Sequence, residues 1–208
     1  MKGLLLKDWY QVRTSMKTMY LTVAFVLVIL VFSTSNAYVF PVSYAAVFLG
    51  IMPAYLLSYD HASGWTEYSF ALPLSKELQV AEKYLVGLFC AAAAVVIGGL
   101  FITVISLRTG TTPDKDALSL LAGSVCAILL INGIMLPLYY RFGAEKARML
   151  YMLMFAGMGA ALGGGMVLMD AVPEPGAAIA IVGVLAAVLV LYALSWRLSV
   201  AWYGKYKK

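Results

Sequence analysis

Six apolar stretches separated by polar connections set the pattern of this chain. They run over Thr18–Thr34, Val39–Tyr59, Tyr84–Leu107, Ala117–Tyr140, Met149–Met169 and Gly176–Trp196. None carries Asp, Glu, Lys, Arg or His in its middle. A helix rises about 1.5 Å per residue and a bilayer's hydrocarbon core is about 30 Å thick, so each stretch predicts one membrane-crossing helix. The expected fold class is all-α: a polytopic membrane protein with six transmembrane helices in one domain spanning residues 1–208.

Residues 1–17 show a different period. Leu5, Trp9, Val12 and Met16 recur at i, i+4, i+7 and i+11, while Lys2, Asp8, Arg13 and Lys17 lie mostly elsewhere. The pattern predicts an amphipathic helix lying in the membrane interface before the first span.

The longest connection, 60–83, reads DHASGWTEYSFALPLSKELQVAEK. Gly64 is expected to break the preceding helix. Trp65, Tyr68 and Leu72 then recur at i, i+3 and i+7, which predicts a short amphipathic turn or two. Pro73 stops that turn, and Ser75 is suited to cap the next helix, with Glu77 favouring its first turn. The segment reads as helix–Leu-Pro–helix with aromatic side chains on show. It is either an interfacial helix resting on lipid or a docking surface for a soluble partner. The second reading is preferred, because a few aromatic anchors suffice for helix-in-groove recognition. Its candidate residues are Trp65, Tyr68, Leu72, Pro73, Leu74 and Lys76. His61, the single histidine, is expected at a helix end in the interface.

Within the spans, Pro53 is expected to kink the second helix. Asn132 is the most polar side chain at depth and is expected to hydrogen-bond across helices. Gly159 and Gly163 form a small-xxx-small pair in a glycine-rich fifth span, a candidate close-packing or dimer face.

Composition and charge sharpen the picture. The chain is 63% hydrophobic with a mean hydropathy of +0.89, against about 45–50% apolar for a soluble domain. The formal charge of +5 in another setting would suggest nucleic acid. Here all Lys and Arg except Arg108 and Lys115 fall on one side of the expected spans, so the positive-inside rule puts both termini in the cytoplasm. Trp9, Tyr10, Tyr139, Tyr140, Trp196, Trp202 and Tyr203 mark the ends of helices, as an interfacial aromatic belt does. The start is too long and mixed for a secretory signal. Cys90 and Cys126 sit inside spans with no metal-ligand spacing and read as small core residues.

Candidate chemistry is sparse. No nucleophile with its base, no paired acids and no phosphate-binding loop appears, so the chain is expected not to be an enzyme and to need no cofactor. Ion-coupled carriers usually keep ionisable groups on their pathway, and the spans hold none at depth. Any work must draw on another polypeptide.

The start MKGLLLKDW and the run GWTEYSFALPLSKELQVAEKYLVG resemble the short six-span permeases of bacterial ABC exporters of the type-2 class. The recurring stretch is matched here by Leu72, Pro73, Ser75, Lys76, Val80, Lys83 and Tyr84. The resemblance implies a transmembrane subunit in the bacterial inner membrane that works as a homo- or heterodimer. It implies that two separate ABC ATPase subunits dock on residues 60–83, that the N-terminal helix is a connecting helix on the inner leaflet, and that membrane lipid is a further partner. Similar permeases export amphipathic or antimicrobial peptides, lipids or drugs. The alternative is a non-transporting membrane scaffold whose same segment docks another cytoplasmic protein. An importer subunit is a third reading, disfavoured by the short outer connections.

Overall fold

The computed structural model describes residues 2–15, 39–110, 115–169 and 177–203, with single positions at 17, 21, 24, 25 and 28. Side chains are described up to Met152, a few positions aside, and again from Gly183. All regular structure among the described residues is helical: α1 (Lys2–Ser15), α2 (Val39–Ala62), α3 (Trp65–Ala71), α4 (Lys76–Thr109), α5 (Lys115–Met169) and α6 (Ala177–Trp202).

Four stretches are long and apolar enough to cross a membrane: Val39–Ala62, Lys76–Arg108, Ala117–Gly143 and Gly183–Trp202. They match the second, third, fourth and sixth expected spans. The first expected span, Thr18–Thr34, lies outside the described residues, single positions aside. The fifth, Met149–Met169, is helical in backbone, but the side-chain environment of Gly159 and Gly163 lies outside the described residues.

Local chemistry explains the breaks. Gly64 takes φ +72°, ends the α2 turn and starts α3. Leu72 is extended ahead of Pro73, and Ser75 caps α4 by accepting from the Leu78 amide at 3.3 Å. Gly143, at φ 78° and ψ 173°, divides α5 into two arms. A side chain is strained at these positive φ values, which is why glycine marks the bends. The helix α2 continues through Pro53, whose ring is buried.

α2 packs on α4 and α5, and α5 packs on α6. Leu56, Val80, Ile128 and Leu136 are fully buried at their junctions. Helices approach where side chains are absent. A Cβ on Gly87 would lie 2.5 Å from Tyr192 Oη, and one on Gly98 would lie 2.6 Å from Leu121 Cδ2. Gly87 and Gly98 are thus positions of close helix packing. Leu88, Phe89, Val96 and Leu100 of α4, and Leu189 to Leu191 and Leu194 of α6, are exposed. A continuous apolar outer surface of this kind suits lipid rather than water.

Asn132 corrects one expectation. Its side chain is fully buried, but Nδ2 donates back to Ile128 O of its own helix at 2.9 Å, and Oδ1 has no hydrogen-bond partner. The bond between helices is made instead by hydroxyls. Tyr192 Oη donates to Tyr84 O at 2.8 Å, and Tyr84 Oη lies 2.6 Å from Ser195 Oγ and 2.8 Å from Ser199 Oγ. Ser195 in turn donates to Gly133 O. Tyrosine and serine hydroxyls reach a neighbouring helix, whereas a short amide beside its own i−4 carbonyl closes locally.

Candidate functional site

The charges at one end of the bundle converge. Lys7 and Asp8 of α1 meet Asp60 at the end of α2 and Glu82 and Lys83 near the start of α4. Lys83 Nζ lies 2.8 Å from Asp8 Oδ1 and 2.7 Å from Asp60 Oδ2, while Lys7 Nζ lies 2.7 Å from Asp60 Oδ1 and 3.1 Å from Asp8 Oδ1. Glu82 Oε1 is 4.0 Å from Lys7 and 3.9 Å from Lys83. Asp8, Asp60, Glu82 and Lys83 are all 3% exposed or less. Burying charge is costly, and a buried pair holds only when both partners stay in place. The cluster therefore fixes the relative positions of three helices more strictly than apolar contact does.

The sequence reading placed Asp8 with the polar face of an interfacial helix and left Asp60 and Lys83 as the limits of a loop. The structure corrects this. Leu4 and Asp8 are the buried residues of α1, and Trp9, from the expected apolar stripe, is 63% exposed. The signal available was an adjacent Lys7–Asp8 pair set in the otherwise apolar run LLLKDW.

Glu82 precedes the apolar stretch of α4, which begins at Tyr84. Burial pushes its carboxyl up to about 7, against the pull of Lys83; nearby Asp8 raises it further. Among the described residues Glu82 Oε1 has no hydrogen-bond partner. With Glu82 neutral, Lys7 and Lys83 balance Asp8 and Asp60. For Lys83 itself, burial works against the charge, but Asp60, Glu82 and Asp8 together raise its pKa.

The helix α3 rests on this cluster. Lys7 Nζ stands 4.8 Å from the Trp65 ring centroid, a cation–π contact. Ser69 is buried, and Gln79 Nε2 donates to Ser69 O at 3.3 Å. Tyr203, just past α6, donates to Gln79 Oε1, and its ring lies 5.4 Å from Phe70 and 5.5 Å from Tyr140. One face of α3 is thus tied to α1, α4, α5 and the end of α6. The other face carries Glu67 and Tyr68, and Tyr68 is 58% exposed with its ring 5.6 Å from Trp65.

Of the sequence-predicted docking residues, Trp65, Leu72 and Leu74 are half-buried, and Tyr68, Pro73 and Lys76 are exposed. Trp65 is therefore turned partly toward the molecule, and Tyr68 leads the outward surface. Gln79 and Tyr203 were missed, because nothing local in the sequence joins residues 124 positions apart. A cavity of about 70 Å³ lies under α3, lined in part by Asp60, His61, Glu82 and Tyr140. Among the described residues, no group of His, Cys, Asp and Glu has the arrangement of a metal site.

The family model described as ABC-2 family transporter protein matches residues 3–204 of the chain. No curated protein and no solved structure matches it.

Proposed function

The chain belongs to the ABC-2 family of transporter proteins, and is thereby the multi-pass permease subunit of an ABC transporter that associates with an ABC ATPase subunit; we propose that it exports an apolar or amphipathic substrate and that α3 is the coupling helix. The observation that carries the reading is the two-sided character of α3. Its outward face presents Tyr68 and Glu67, while its inward face contacts Lys7 of α1, Gln79 of α4 and Tyr203 just past α6.

In this mechanism the ATPase grips α3 through Tyr68, and the turn into α4 through Leu72, Pro73 and Lys76, and moves them on nucleotide binding. Buried ion pairs are rigid because separating them strands a charge. Displacement of α3 therefore carries Asp60, Lys83 and α1 along with it. The spans tilt as units, and the pathway opens between them or between two copies of the permease. The absence of Asp, Glu, Lys, Arg or His from the middle of the apolar stretches supports a substrate that is itself largely apolar, such as a lipid, a drug or an amphipathic peptide. The site lies at the cytoplasmic face of the cell membrane, as the lysine- and arginine-rich connections on that side support.

Co-purification from membranes with the partner ATPase tests the assignment. Tyr68→Asp places a charge on the outward face without touching the buried cluster, and loss of the ATPase from the purified complex is the expected result. Retention of the ATPase by a Tyr68→Asp, Leu72→Asp double variant overturns α3 as the docking element.

A further inference from the structure

Between α1, α2 and α4 runs an open groove of about 990 Å³. Leu5, Trp9 and Val12 form one wall, and Met52 and Leu56 of α2 with Phe89 of α4 form the other. These are the α1 residues whose periodicity predicted a membrane-facing stripe, and they face a cleft rather than a flat interface. From Leu56 the groove extends along α2 to Leu49, and along α4 from Val86 to Ala93. Seven residues of helix correspond to about 10 Å, the depth of an upper acyl segment.

Its rim is basic. Arg13 and Lys17 line it, and the same two side chains with Tyr10 and Thr14 line an adjoining recess. The acid on the lining, Asp8, is held by Lys83 at 2.8 Å through both carboxylate oxygens. Its charge is already met inside the protein, so the groove presents a cationic rim and an apolar trough.

We propose that this groove is a binding site for an anionic phospholipid of the adjacent leaflet, with the phosphate between Arg13 and Lys17 and an acyl chain along Met52, Phe89 and Ala93. Charge complementarity selects the occupant. A zwitterionic lipid brings its own ammonium beside the phosphate and so adds a third cation to the site, and an apolar segment of protein gives Arg13 and Lys17 no anion. Basic residues at a membrane surface attract anionic lipid, and a defined trough adds chain burial to that attraction. The site rests on the membrane placement of the family reading, but not on the docking role of α3. A bound lipid here holds α1 against α2 and α4 from the side opposite the buried ion pairs.

Trp9 supplies the readout. The full chain is reconstituted in vesicles containing phosphatidylglycerol or phosphatidylcholine with brominated acyl chains. Quenching by Trp9 is obtained by difference from Trp9→Phe. Phosphatidylglycerol is expected to quench Trp9 several-fold more efficiently at equal mole fraction. Arg13→Gln with Lys17→Gln should abolish the preference. Ala93→Phe, which fills the trough and leaves the charge unchanged, should lower quenching by both lipids while circular dichroism stays that of the parent. Equal quenching of Trp9 by the two lipids in the parent chain overturns the proposal, as does an Ala93→Phe variant with unaltered quenching. Exclusion of both lipids from Trp9, as when the chain's own residues 18–38 cover the groove, overturns it equally.

Discussion

At the scale of single residues, Glu82 is the group whose state depends most on the fold. Two lysines and two aspartates already balance around it, and a third carboxylate meets the same two lysines only at 3.9–4.0 Å. Burial raises its carboxyl from the ordinary value of 4.5 to about 7. The sign follows from proton linkage. Between these two values the folded chain holds a proton that the unfolded chain releases, so this group's contribution is complete below the lower value and is lost as pH rises to the upper one. Glu82→Gln keeps the neutral shape and removes the titration. Relative to the parent, the variant should therefore gain thermal stability steadily from pH 5 to pH 7 and show no further gain above it. A pH series of melting curves in detergent measures this, and parallel curves for the two proteins would contradict it. Asp8 illustrates a different point at the same scale. Its type was visible in LLLKDW, but its role depends on Lys83, 75 positions away.

At the scale of elements, helix limits follow local chemistry and helix approach follows shape. Gly64, Leu72 with Pro73, and Ser75 mark the ends of α3 and the start of α4 where their chemistry predicts. Such signals act within a few residues and so can be read along the chain. The close approach of α4 to α6 depends instead on Gly87, where a side chain would strike Tyr192 Oη, itself the donor to Tyr84 O. Gly87→Ala is expected to destabilise the protein by about 1–3 kcal/mol through overpacking and the disturbed hydroxyl. Gly99→Ala, whose new methyl meets nothing within 4 Å, should be neutral or slightly stabilising, since alanine is the better helix former. Comparing melting midpoints of the two variants separates a packing effect from a propensity effect. Nothing in the run VIGGLF distinguishes Gly98 from Gly99 by composition. Their difference arises because Leu121 of a neighbouring helix stands over one and not the other.

At the scale of the whole molecule, polarity divides the protein into an apolar bundle and one charged, hydrogen-bonded end. The charge distribution predicts that this end faces the cytoplasm. With Cys90 and Cys126 replaced, a single cysteine at Ser75 should react with a membrane-impermeant maleimide only in inverted vesicles, and one at Lys115 only in right-side-out vesicles. The opposite pattern would reverse the orientation and, with it, the docking assignment. The apolar stretches, the short helix after Gly64 and the family membership were legible in the sequence, because hydropathy, turn chemistry and a distinctive 60–83 run are properties of neighbouring residues. The buried five-charge cluster, the tether from Tyr203 to α3, the groove beside α1 and the local hydrogen bond of Asn132 were not. Each depends on which residues distant in the chain are brought within about 3–4 Å, the range over which hydrogen bonds and ion pairs act. The sequence by itself determined that these helices belong in a membrane and where α3 ends and α4 begins; only the tertiary structure decided which charges meet, because a buried charge is tolerated only where folding supplies its partner.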